Sequence, residues 1–156
     1  MFKRNGVLLG ASLLISIIYF IIYALTNGLL GNGVSSKLTS LGISILTFVV
    51  YFKLGSFISR LDIRKFSKVN NVLSISSLVV VSFFIWIYSF TQNLFNPGVA
   101  GLEWIPYFFI NAPYLAVNDL INCYLPYLYF IYPYITTFIV FMGIKYGKLK
   151  LLKDEN

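Results

Sequence analysis

Glu103 and Asp119 bracket the stretch LEWIPYFFINAPYLAVND, with Trp104 beside the first acid and Asn122 three residues after the second. Two carboxylates with an indole and an amide close by suit contact with a partner protein or a cationic ligand. In their plainer role the same acids mark where a greasy segment meets water. Glu103, Trp104, Asp119 and Asn122 are therefore the candidate contact residues. Catalysis finds less support. The chain has no histidine, which removes imidazole metal sites, histidine-ligated haem, Ser-His-Asp triads and histidine proton relays together. Its one cysteine, Cys123, allows neither an internal disulfide nor a CxxC redox pair. No nucleophile–base pair and no metal-ligand cluster stands out. The expectation is a protein that is not an enzyme, with no cofactor and no bound metal.

The elements that hold these residues follow from composition. The chain is 58% hydrophobic and 11% charged, against about 25% charged in ordinary soluble domains. Such a chain has lipid as its main solvent. A bilayer core of about 30 Å needs about 20 apolar residues in a helix. Four stretches meet this: 7–26, 38–59, 72–90 and 120–144. The first resembles a signal peptide, with Lys3 and Arg4 ahead of it. Its apolar run is too long, however, and no A-x-A-like site follows, so it reads as an uncleaved span. The expected fold is a single domain covering 1–156, an all-α integral membrane protein. It is a four-helix transmembrane bundle with an outer interfacial or re-entrant segment between helices 3 and 4.

Basic residues orient the bundle. With four spans, eleven of the twelve Lys and Arg residues fall on one side, and only Lys37 falls on the other. The positive-inside rule then puts both termini in the cytoplasm. This distribution assigns the net charge of +7 to topology and anionic headgroups rather than to nucleic acid. Lys53 lies seven residues before Arg60, close enough to the end of its span to snorkel. The usage leans to Ile, Phe, Tyr, Asn and Lys, with few alanines. That leaning fits an AT-rich genome and a bacterial cell membrane.

Each span carries one stripe of small or hydroxyl residues. Span one has Ser12, Ser16, Tyr19, Tyr23 and Thr26; span two has Ser36, Ser40, Ser44, Thr47 and Tyr51. Span three has Ser74, Ser77, Ser82 and Ser89; span four has Asn122, Pro126, Tyr129, Pro133, Thr136 and Thr137. Lipid cannot hydrogen-bond these groups, so the stripes should turn toward one another. Two GxxxG spacings, Gly6–Gly10 and Gly143–Gly147, add candidate helix contacts. No carboxylate or arginine sits in a stripe, which argues against an ion-coupled carrier.

A further pattern is a near-repeat. IPYFFINAPYL and LPYLYFIYPYI each contain Pro-Tyr, five residues, then Pro-Tyr, and they start at Ile105 and Leu125. Chance in an aromatic-rich membrane sequence, or shared interfacial chemistry, is the plainer account of such an echo, and a functional repeat is the sharper one. Pro126 should open a helix, and Pro133 should kink one. Trp104, Tyr107 and Tyr114 should anchor the first copy at headgroup depth. The function expected from all this is binding, in an accessory, assembly or immunity-type role. The partners would be the lipid bilayer, another membrane or outer-surface protein, or a second copy of the chain. The alternative is an oligomeric channel or facilitative carrier that uses the hydroxyl seam.

Overall fold

Backbone polar groups removed from water must be satisfied within the segment that carries them, and helices do this locally. The computed structural model describes residues 2–30, 34–60, 75–95, 104–115, 117 and 126–154, and no strand occurs among the described residues. In chain order the elements are α1 (Phe2–Leu30), α2 (Val34–Arg60), α3 (Ser77–Phe95), the short α4 (Ile105–Asn111), a 3-10 helix (Pro126–Ile131) and α5 (Tyr132–Asp154). Among the described residues three stretches are long and apolar enough to cross a membrane: Arg4–Thr26, Lys37–Arg60 and Ser77–Phe95.

The ends of two elements differ from the sequence expectation, each for a local reason. The third helix starts at Ser77 rather than at 72, and it runs on to Phe95. The Ser77 amide donates to Asn5 Oδ1 at 3.2 Å, so α1 caps α3 from outside. Val80 N donates to Ser76 O at 3.0 Å, which opens the helical ladder there. At the far end Thr91 Oγ1 folds back on the Ile87 and Tyr88 carbonyls, which keeps a polar turn helical. In the last helix Pro133 does not bend a continuous α-helix. It is the second residue of α5, where the 3-10 helix gives way to α-geometry. The proline thus stands where the helix type changes, 3-10 before it and α after it.

Four of the described helix ends gather at one pole. Asn5 touches Ser77, Arg60 and Lys150 line one groove, and the Arg4 charge reaches Lys148. Burial holds the Lys148 ammonium below its ordinary pKa, and Arg4 adds to the shift. The start of α1, the end of α2, the start of α3 and the end of α5 therefore share one basic pole. Lys37 lies 23 residues before Arg60 on α2, about 34 Å away along the helix.

The tightest packing joins α2 to α5. A Cβ on Gly55 would overlap the Val140 carbonyl, and one on Gly143 would overlap the Phe52 carbonyl. A Cβ on Gly147 would meet Ser59 Oγ and the Ser56 carbonyl. Backbone therefore lies on backbone, as small residues allow in lipid-embedded pairs. Around this contact Leu8, Ile58, Ile75, Leu78, Val140 and Ile144 form an apolar core toward the basic pole. Large apolar side chains such as Leu14, Leu46, Phe84 and Phe138 face outward. The other GxxxG spacing makes no such contact, since nothing lies within 4 Å of a Cβ at Gly6 or Gly10.

Gly143→Ala should destabilise the fold by about 1–3 kcal/mol, because the added methyl must displace backbone. Gly10→Ala should be neutral or stabilising by up to about 1 kcal/mol. Denaturant unfolding in mixed micelles measures both, and equal effects would contradict the backbone contact.

Candidate functional site

The polar stripes do face inward. Ser12, Ser16 and Tyr19 of α1 are buried, as are Ser40, Ser44, Thr47 and Tyr51 of α2. So are Ser82 and Ser89 of α3, and Tyr129 and Thr136 in the last two elements. Much of this seam is occupied by the protein itself. The stretch 104–115 packs into it, with α4 in contact with α1 and α3.

The docking chemistry starts from a deficit. A helix leaves its last carbonyls without partners, and α4 ends at Asn111, within the bundle. Ser16 Oγ donates to the Ile110 carbonyl at 3.0 Å, and Ser44 Oγ donates to the Pro113 carbonyl at 2.9 Å. Ser44 also lies 3.0 Å from its own helix's Ser40 carbonyl. Its single proton is thus directed to carbonyls, and the Tyr19 phenol, 3.0 Å away, must donate to Ser44 Oγ. The chain turns directly after α4, where Leu115 N donates to Ala112 O at 3.0 Å.

Asn111 has no counterpart among the residues that the sequence singled out. It is 2% exposed. Its Nδ2 donates to Ser82 Oγ at 3.3 Å and to the Tyr107 carbonyl at 3.2 Å. The carbonyl can only accept, so this contact fixes which way the amide points. Asn111 Oδ1 has no partner among the described residues, and neither do the hydroxyls of Ser12, Ser40, Ser89 and Thr137. The only signal in the sequence was an amide placed directly before Ala112-Pro113, a pattern that reads as a turn.

The two stretches of the near-repeat pair in space, two residues out of register with the repeat itself. The Tyr107 hydroxyl donates to the Tyr129 carbonyl, and the Tyr114 hydroxyl pairs with Thr136 Oγ1 at 2.9 Å. Both pairs are separated by 22 residues. Seven residues along one stretch therefore match seven along the other, in the same direction. The two Pro-Tyr stretches run parallel, side by side. Rings reinforce the match. Tyr114 stacks on Tyr132 at 4.1 Å, and Trp104 meets Tyr129 edge-on at 5.0 Å. Tyr107 and Tyr114 are thus bonded inside the protein and are not displayed at a lipid interface.

Depth follows from helix register. Ser16, which holds the Ile110 carbonyl, lies 12 residues after Arg4 and 10 before Thr26. At 1.5 Å per residue these are about 18 and 15 Å, so the end of α4 sits near the middle of α1.

Of the candidate contact residues, Trp104 is 5% exposed and packs in an aromatic cluster with Tyr107 and Tyr129. Glu103, Asp119 and Asn122 lie outside the described residues, as do Cys123 and Ser74. No family model, curated protein or solved structure matches this chain.

Removing the seam donors should loosen the docked stretch. Ser16→Ala and Ser44→Ala should each cost about 0.6–2 kcal/mol, the range for hydrogen bonds between membrane helices. Both should speed amide exchange in 104–115 more than in α5. Tyr114→Phe keeps the stack on Tyr132, so it should cost less than Tyr114→Ala. Unchanged exchange in both serine variants would show that these donors do not hold the stretch.

Proposed function

We propose that this chain is a small multi-pass protein of a bacterial cell membrane that works by binding, in an accessory, assembly or immunity-type role. In this reading α1, α2, α3 and the last two elements together make four crossings, with both termini cytoplasmic. The 3-10 helix and the apolar part of α5 supply the fourth crossing. Six residues at about 2.0 Å and thirteen at about 1.5 Å rise give about 31 Å, close to the bilayer core. The stretch 104–115 is re-entrant. It descends parallel to the last crossing and ends near mid-depth of α1.

The observation that carries the binding role is the filled seam. Hydroxyls that could line a path instead hold the carbonyls of Ile110 and Pro113. Toward the basic pole an apolar core with Leu8, Ile58, Leu78 and Val140 follows. A chain that spends its polar groups on locking one short helix into place is suited to presenting a rigid outer surface. Glu103, Asp119 and Asn122 flank that helix in sequence and are the contact residues of this reading. Trp104 shapes the surface from beneath. The occupant would be another membrane or outer-surface protein. The second reading is a conduit, favoured by the unpartnered hydroxyls of Ser12, Ser40 and Ser89 along the seam.

Reporter fusions at the C-terminus should give a cytoplasmic signal, and fusions beside Glu103 an external one. An external C-terminus would overturn the orientation. Glu103→Lys with Asp119→Lys should abolish co-purification of a discrete partner while abundance and membrane insertion stay unchanged. The purified wild-type chain should carry no solute flux in liposomes. Flux that Ser12→Leu blocks would establish the conduit instead.

A further inference from the structure

We propose that the groove between α2 and α5 at the basic pole is a binding site for one anionic phospholipid. The groove is about 270 Å³, lined by Lys53, Ser56, Phe57, Arg60, Tyr146 and Lys150. Three cations and two hydroxyls converge there, and the lining contains no acid. Such a set matches a phosphate, with cations to neutralise it and hydroxyls to donate to its oxygens.

The groove exists because the helices touch. Gly55, Gly143 and Gly147 bring the two backbones together, so the larger flanking side chains splay into two walls. On α2 the wall is Lys53, Ser56, Phe57 and Arg60, which share one helical face. On α5 it is Tyr146 and Lys150, one turn apart.

A phosphate group could come from a lipid headgroup or from a free anion, and the continuation of each wall favours the lipid. One turn deeper than Lys53, Val49 is 49% exposed. One turn deeper than Tyr146 is Met142, with Phe138 beyond it, both exposed. Both walls are therefore cationic near the pole and apolar below it, as an acyl chain under a headgroup requires. Lys53 lies about 10 Å along α2 from Arg60, where a lipid's glycerol region would meet its ammonium. A soluble anion would have no reason to reach that depth. This site requires the chain to be in a membrane but does not depend on the partner-binding reading.

The test uses the full chain, purified and delipidated in detergent, with bound lipids counted by native mass spectrometry. Added phosphatidylglycerol should be retained at one molecule per chain, while phosphatidylcholine should wash off. Arg60→Gln with Lys150→Gln should weaken that retention by roughly tenfold or more, since each cation near an anionic headgroup is worth about fivefold. Lys145→Gln removes a charge at the same pole, but its ammonium lies over the Phe141 ring at 4.8 Å, outside the groove. Its retention should stay within about twofold of wild type. Equal loss in Lys145→Gln would reduce the effect to overall charge and overturn the site. Equal retention of phosphatidylcholine would overturn it too. Displacement of phosphatidylglycerol by millimolar inorganic phosphate would make it a site for free anions rather than lipid.

Discussion

The contact between the backbones of α2 and α5 sets the geometry of everything around it. Gly55 lies under the Val140 carbonyl and Gly143 under the Phe52 carbonyl, so neither position has room for a side chain. In lipid no hydrophobic force drives helices together, and close packing must supply the attraction instead. The α2–α5 pair does this where the last helix already carries its lysines. Because the pair is fixed there, Ser44 of α2 and Thr136 of α5 both face the seam farther up, where each bonds the stretch 104–115.

Within that frame the seam solves a problem of polarity. A short helix ending inside a bundle has carbonyls that neither water nor lipid can satisfy. Ser16 satisfies one of them, the Ile110 carbonyl, and Ser44 of a second helix satisfies the Pro113 carbonyl just beyond the helix end. The same hydroxyls would otherwise be buried costs of their own. Two sets of groups, each unfavourable alone, are resolved by one docking. That reciprocity accounts for serine at 16 and 44, where alanine would pack as closely but donate nothing.

How much of this was legible depended on whether the signal was periodic or relational. Apolar length marked the helices, and period marked the inward face, so Ser12, Ser16, Ser40 and Ser44 fell where the stripes put them. The two GxxxG spacings looked alike in sequence, yet only Gly143–Gly147 meets another backbone. What lies opposite a glycine is not written beside it. Pro133 was misplaced because the sequence does not say where a 3-10 helix yields to an α-helix. Asn111 was overlooked because its worth lies in Ser82, 29 residues earlier in the chain. At the candidate contact site only Trp104 can be compared with expectation. It is buried, because an indole amid tyrosines finds better packing against Tyr107 and Tyr129 than against solvent.

The 22-residue separation of the bonded pairs also constrains the order in which these contacts can form. The first stretch leaves the ribosome before its partner exists. With α4 only seven residues long, it cannot insert by its own hydrophobicity. Its Tyr107 and Tyr114 hydroxyls find their acceptors only after residues 129–136 have been synthesised and have taken their place beside α2. The stretch that fills the seam therefore completes these bonds only with residues that follow it in the chain. The docked form of 104–115 is therefore set by residues 129–136 as much as by its own sequence.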